Sequence, residues 1–190
     1  KDDPGYEYAL KHGYFVKGME DRNWWKGPGG WIDYDNPRAV EWWHQRMDRA
    51  LALGIDGWKT DGTDPYLLPK GWGVRQRYAD RYYSDFYDYT RQKLGGKQVV
   101  MARPYESGVD ERTLGLPAWT NPLGLAIWLK FAPIDKSWAS WVGDQDPTFD
   151  GMTIARRRIL YSAKKNYLIL GSDIGGYREI KGKGPSKEVL

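Results

Sequence analysis

Four apolar segments of this sequence each run into a charged residue, and this feature most limits what the chain can fold into. The segments are GIDGWKTDG, KQVVMARPY, WASWVGD and YLILGSDIGGY, and each is typical of a short buried strand. A charged side chain that directly follows a buried strand must lie at the rim of a sheet rather than inside it. The four residues at these strand ends are Asp61, Arg103, Asp144 and Asp173.

Helical patterns separate most of these strands. One helix is predicted from Pro37, with Asn36 or Asp35 as its cap and Gly54 as its stop. A long helix rich in tyrosine is predicted from about Tyr78 to Leu94. A third follows a cap at Thr148 or Asp150, and its run of Arg156, Arg157 and Arg158 is typical of a solvated face. A further strand, HGYFVKG (residues 12–18), and a loop, NWWKGPGG (residues 23–30), are predicted near the start.

Strands that alternate with helices predict an α/β fold with a parallel sheet. The carboxyl ends of parallel strands share one edge, which is the active face of a βα barrel and the binding crevice of an open α/β sheet. We therefore expect the four charged residues to meet at that edge. An acid at a strand end often only caps the next helix or loop, but four such positions in succession favour a site.

Composition excludes several classes of function. The 190 residues contain no cysteine and two histidines, so we expect neither a metal site nor a cofactor. Lysine and arginine (29) are scattered among aspartate and glutamate (25), which argues against the clustered basic face of a nucleic-acid-binding protein. No apolar run approaches the roughly 18 residues of a membrane span.

Two carboxylates that face each other across a pocket are the minimal equipment for cleaving a glycoside. Asp61 and Asp144 supply such a pair, and either Lys59 or Arg103 could place a cation beside Asp61. Aromatic faces suit the C–H faces of sugars, so Trp141, Trp58 and Phe149 are candidates for the walls of a sugar site.

The motifs also resemble a known family. GIDGWKTDG is similar to the nucleophile strand of glycoside hydrolase family 31, the α-glucosidase and α-xylosidase family, and WVGDQDPTFDGM is similar to its acid/base segment. SDIGGY, WIDYDNPRAVEWW and MARPYESG resemble three further segments, and all five occur in the family's order. The resemblance covers most of the chain.

This resemblance implies a fold and a set of roles. The fold would be a (β/α)8 TIM barrel, with residues 1–190 forming an incomplete part of one catalytic domain. Asp61 would be the nucleophile and Asp144 the general acid/base of a retaining mechanism. The first sugar subsite would be formed by Arg103, Asp173, Trp141 and Lys59. Family members commonly have Glu where this chain has Asp64, so Asp64 is expected at an altered pocket rim.

The function expected from this likeness is hydrolysis of terminal α-linked sugars in oligo- or polysaccharides. Two alternatives stay open, a non-catalytic carbohydrate-binding relative and an α-transglycosylase, and the sugar could be glucose, xylose or galactose. Because a complete barrel takes about 250 residues, we expect the rest of a parent barrel chain as a partner, with oligomers possible through open sheet edges. The 190 residues alone are expected to be poorly active.

Overall fold

The computed structural model describes residues 3–24, 27–61, 70–107 and 128–190. The chain divides into two compact units, Lys1–Ile55 and Asp56–Leu190, which are described separately here. In the described ranges, no helix combines the length and the apolar character that crossing a membrane requires.

The first unit contains two helices and one β-hairpin. Helix α1 (Pro4–Lys11) begins after Asp3, whose Oδ1 accepts a hydrogen bond from the Gly5 amide at 2.6 Å. Strands β1 (Arg22–Trp24) and β2 (Gly27–Gly29) pair antiparallel. Helix α2 (Pro37–Leu51) begins at Asn36, whose Oδ1 accepts from the Arg38 amide at 3.1 Å. A buried cluster holds the helices together: Ala9, Tyr14, Phe15 and Ala39.

Two predictions for this unit are wrong. Residues 12–18 do not form a strand, since they contain a single bridge, from Phe15 to Ile32. The positive φ angles of Gly13 (65°) and Gly18 (78°) turn the backbone at both ends of this segment, which leaves no room for an extended strand. The predicted loop at residues 23–30 contains most of the β1–β2 hairpin. For α2, the Asn36 cap is confirmed, while the helix ends at Leu51 and Gly54 lies beyond its Ala52 cap.

The second unit is built on a parallel sheet of four strands. In spatial order these are β3 (Gly57–Thr60), β4 (Val99–Ala102), β7 (Ala139–Trp141) and β8 (Leu170–Gly171). Helix α3 (Trp72–Leu94) joins β3 to β4, and helix α4 (Phe149–Lys164) joins β7 to β8. In sequence, a separate antiparallel pair comes between β4 and β7, formed by β5 (Tyr105–Ser107) and β6 (Trp128–Lys130). All four strands predicted at the charged positions are therefore confirmed, each shorter than its apolar segment.

The helix boundaries follow local capping chemistry. Helix α3 begins at Trp72, six residues before the predicted Tyr78, and ends as expected at Gly95, which adopts the left-handed conformation at φ 63°. Helix α4 is capped by Thr148 rather than Asp150, because the Thr148 hydroxyl accepts the Gly151 amide at 3.1 Å.

Side chains on one face of β3 pack against α3. The Trp58 indole donates to Thr90 Oγ1 at 2.8 Å, and its ring meets the edge of Phe86. Successive side chains of a strand point to opposite faces, so Lys59 and the following acid project on the other side. Tight backbone packing accompanies this arrangement, since a Cβ at Gly57 would lie 1.7 Å from the Val99 carbonyl oxygen.

Candidate active site

The predicted site residues lie at one edge of the parallel sheet. Asp61 directly follows β3, Arg103 directly follows β4, and Asp144 and Asp173 lie two or three residues beyond β7 and β8. Because the four strands are parallel and adjacent, their carboxyl ends bring these side chains to a common edge. The prediction that the four charged residues at the strand ends meet at one edge of the sheet is confirmed.

Arg103 connects the two candidate catalytic carboxylates. Its Nη2 lies 2.9 Å from Asp61 Oδ2 and 3.7 Å from Asp144 Oδ1. These two carboxylate oxygens are therefore at most 6.6 Å apart, the sum of the 2.9 Å and 3.7 Å contacts. The Arg103 side chain is only 8% exposed, so it interacts with both acids in a largely desolvated setting.

The Trp141 ring lies beside two cations. Lys59 Nζ is 4.6 Å and Arg103 Cζ is 5.3 Å from its centroid, distances at which a cation is attracted to the ring face. Lys59 and Arg103 were both candidates for the cation beside Asp61. Arg103 forms this ion pair, whereas Lys59 contacts the Trp141 ring. Trp58 is not a wall of the site, because it packs against α3 on the opposite face of β3.

The surroundings of Asp144 favour its protonated form. Partial burial raises the pKa of this carboxyl, and the negative charges of Asp61 and Asp173 raise it further. Arg103 and Arg178 act in the opposite direction, but the pKa remains above its ordinary value. An acid held in this way can carry a proton at a pH where an ordinary carboxylate has lost it.

Hydrogen bonds from helices α3 and α4 fix the backbone beside Asp61 and Asp144. The Tyr82 hydroxyl of α3 donates to the Asp61 carbonyl at 2.6 Å. Arg158 of α4 donates from Nη1 to the Val142 carbonyl at 3.0 Å, and Gln145 Nε2 donates to the same oxygen at 2.9 Å.

The sequence does not predict the supporting role of these residues. Arg158 was placed with Arg156 and Arg157 on a solvated face, but it is only 6% exposed, while Arg156 and Arg157 are exposed. Tyr82 packs against the buried core cluster, and its hydroxyl also reaches the carbonyl of Asp61.

Several buried polar atoms near the acids have no hydrogen-bond partner among the described residues, including the Oδ2 acceptor of Asp173 and the Nε1 donor of Trp141. A buried polar atom costs free energy unless it is hydrogen-bonded, so both are suited to a ligand that carries hydroxyl groups. Phe149 is 66% exposed at the first residue of α4. Asp64 lies outside the described residues.

Parallel strands joined by helices, with two acids and an arginine at their carboxyl ends, define the class of the fold as a βα structure, in which the carboxyl ends of the strands are the usual place for a site. Within the described ranges, no three histidine, aspartate or glutamate side chains are grouped so as to hold a metal ion.

Comparison with known proteins gives the family. The whole chain, residues 1–190, matches the TIM-barrel domain of glycosyl hydrolases family 31. The chain therefore belongs to this family of glycosidases, and its sheet is part of a TIM barrel.

Characterised relatives agree with this assignment. An α-xylosidase of Emericella nidulans is 26% identical over 178 residues, which cover 92% of this chain and 21% of the relative. An α-glucosidase of Saccharolobus solfataricus is 23% identical over 167 residues, which cover 81% of this chain and 24% of the relative. The chain thus spans about a fifth to a quarter of the length of these relatives.

Solved structures share the fold. A cycloalternan-degrading enzyme from Trueperella pyogenes matches with a TM-score of 0.66 at 19% identity, covering all of this chain and 26% of the enzyme. A family 31 dextranase of Flavobacterium johnsoniae, complexed with glucose, matches with a TM-score of 0.61 at 16% identity, covering 91% of this chain and 22% of the dextranase.

Proposed function

We propose that the protein carrying this chain is a retaining α-glycoside hydrolase that acts on terminal α-linked sugars, and that residues 1–190 are part of its one catalytic barrel domain. The observation that carries the proposal is the contact of one guanidinium, that of Arg103, with both Asp61 and Asp144.

The first chemical step joins the sugar to the protein. A carboxylate oxygen of Asp61 attacks the anomeric carbon, and the bond from this carbon to the leaving oxygen breaks. The leaving oxygen keeps the bonding electrons and takes the proton of Asp144. The products of this step are a glycosyl ester on Asp61 and a free alcohol.

The second step releases the sugar. Asp144, now a carboxylate, removes a proton from water while the water oxygen attacks the anomeric carbon. The ester bond breaks, its electrons return to Asp61, and Asp144 is protonated again. Two inversions at one carbon retain its configuration.

The separation of the acids supports a retaining pair. Retaining glycosidases hold their two carboxyl groups about 5–5.5 Å apart, and inverting ones about 6.5–9.5 Å, to admit a water molecule. The limit of 6.6 Å between the two oxygens that Arg103 contacts is compatible with a retaining pair.

The division of roles rests on environment. Asp61 has the 2.9 Å ion pair with Arg103, which suits a carboxylate that must attack in its charged form. Asp144 has a raised pKa, caused first by burial, which suits the group that must donate a proton.

Polar atoms around the acids suit a sugar. The unpartnered Oδ2 of Asp173 can accept, and Nε1 of Trp141 can donate, a hydrogen bond with sugar hydroxyls. Arg103 and the exposed Lys59 can donate hydrogen bonds to the same hydroxyls, with Phe149 and Asp64 proposed at the rim of the pocket. The names of the relatives, α-xylosidase and α-glucosidase, make α-xylosides and α-glucosides the first substrates to test.

The proposal is tested with the full-length protein and nitrophenyl α-xyloside, α-glucoside and α-galactoside. We expect turnover of at least one glycoside, with Asp61→Ala reduced to background and Asp144→Ala reduced by about 10²–10⁴-fold. Asp88→Asn is the control, because it removes an exposed carboxylate that pairs only with Lys136 among the contacts described.

Other outcomes would separate the alternatives. Sugar binding without turnover would contradict the hydrolase and favour the carbohydrate-binding relative. Nitrophenol release with the sugar transferred to a second sugar, rather than to water, would favour the transglycosylase. Full activity of Asp61→Ala would refute the nucleophile assignment.

A further inference from the structure

A buried aromatic residue outside the catalytic set contacts the arginine that joins the two acids. Phe131 has no exposed surface, and its ring centroid lies 5.6 Å from Arg103 Cζ. With Trp141 at 5.3 Å, two aromatic rings therefore contact one guanidinium. Both distances are within the range of cation–π attraction, which is stronger in a desolvated setting.

Backbone contacts fix Phe131 next to Arg103. The Phe131 amide donates to the Pro104 carbonyl at 2.8 Å, and the Ala132 amide donates to the Arg103 carbonyl at 3.1 Å. The residue that follows β6 is thus held against the residue that follows β4, which fixes the backbone of Phe131 beside Arg103.

A second arginine, from helix α3, also contacts Phe131. Arg75 of α3, which is fully buried, donates from Nη1 to the Lys130 carbonyl, and its Cζ lies 4.6 Å from the Phe131 ring centroid. The Phe131 ring therefore contacts two guanidiniums. An aliphatic residue of similar size would fill the same space but would offer neither arginine a π face.

We propose that Phe131 is a positioning residue for catalysis, whose ring holds the Arg103 guanidinium where it contacts both Asp61 and Asp144. This inference rests on the proposed function. An arginine side chain has many rotamers, so contacts that restrict it keep Nη2 aimed at the acids before a substrate arrives. Phe131 itself touches neither acid through any contact described.

The test compares Phe131→Leu and Phe131→Met with wild type in the full-length protein, using the pH dependence of kcat/KM. We expect kcat/KM to fall about tenfold, the scale of one desolvated cation–π contact. We also expect the basic limb of the profile to move to higher pH. Arg103 lowers the pKa of Asp144, so a loosened guanidinium lets Asp144 stay protonated at higher pH.

Phe15→Leu is the matched control, since Phe15 is also buried but lies in the first unit. We expect it to lower thermal stability without moving the basic limb. The position of a limb does not depend on the folded fraction, so a destabilised Phe131 variant still reports on the proposal. Phe131→Met provides a second variant if Phe131→Leu folds poorly, because the unbranched Met side chain adapts to irregular gaps.

The outcomes distinguish the two proposals. A wild-type protein without glycosidase activity would overturn the proposed function. An active wild type whose Phe131 variants keep the wild-type basic limb, with kcat/KM no lower than that of Phe15→Leu, would overturn the role of Phe131 alone.

Discussion

Replacing Gly143 by alanine tests whether the guanidinium of Arg103 has to stay in its observed position. Gly143 precedes the candidate acid/base and has φ 89°, a conformation that residues with a Cβ rarely adopt. A Cβ at this position would lie 2.3 Å from Nη1 of Arg103 and 3.3 Å from Nη1 of Arg158. Gly143→Ala therefore adds backbone strain and also displaces the arginine.

The size of the effect follows from these distances. An ordinary contact needs about 3.4 Å or more, so Nη1 must retreat by roughly 1 Å from the new methyl group. A misplacement of about 1 Å in a catalytic site can cost about 10²-fold in rate, which is about 2.7 kcal/mol of transition-state stabilisation. The strain of a positive φ adds about 1–2 kcal/mol to the loss of folding stability.

Gly96→Ala separates these two effects. Gly96 has φ 85°, nearly that of Gly143, but a Cβ there would meet nothing within 4 Å. We expect both variants to lose the roughly 1–2 kcal/mol that a positive φ costs, and Gly143→Ala to lose more because it also displaces a buried guanidinium. Only Gly143→Ala should lose about 10²-fold in kcat/KM on the preferred nitrophenyl α-glycoside. Equal activity of the two variants would refute the idea that the position of Arg103 controls catalysis.

Three further changes test the support of the two acids. Tyr82→Phe removes the hydroxyl that binds the carbonyl of Asp61, the proposed nucleophile, so we expect lower kcat/KM and a loss of about 1 kcal/mol in unfolding free energy, with Tyr87→Phe on the same helix as control. Arg158→Met removes a buried hydrogen bond from a charged group and should cost about 1.5–3 kcal/mol in denaturant unfolding, whereas the exposed Arg157→Met should cost almost nothing. Arg178→Met removes a positive charge that lowers the pKa of Asp144, the proposed acid/base, so the basic limb of kcat/KM should move to higher pH; a move to lower pH would contradict this assignment.

Strand ends were predictable because two independent patterns coincide there. Short apolar segments identify buried strands, and a charged residue at the end of each marks the rim of the sheet. The meeting of Asp61, Arg103, Asp144 and Asp173 then follows from parallel order alone. The roles of Asp61 and Asp144 came from family likeness rather than from this pattern.

Other features depend on the direction in which a side chain points and on contacts between segments that are distant in sequence. Composition alone gives neither. Strand alternation places Trp58 on the face opposite Lys59, so its exclusion from the site could have been predicted. Likewise, Arg158 lies at helical spacing from the other buried residues of α4, Gly151, Ala155 and Ser162, so its burial could have been predicted. The contact of Phe131 with Arg103 joins segments that are distant in sequence and had no local signal.

The false strand at residues 12–18 shows a limit of apolar patterns. Tyr14 and Phe15 are buried, as a strand would require, but they pack in the cluster formed with α1 and α2. The apolar character of the segment reflects this burial, whereas the turns at Gly13 and Gly18 prevent the extended conformation that was predicted.

Trapping the covalent intermediate tests the central claim most directly. A slow fluorinated α-glycoside of the preferred sugar is incubated with the full-length protein, which is then digested with trypsin and analysed by mass spectrometry. Residues 60–70 form one tryptic peptide that contains both Asp61 and Asp64, so the peptide must be fragmented to locate the label. We predict one glycosyl group, on Asp61. A label on Asp64 or on another peptide, or release of sugar with inverted configuration, would contradict the account.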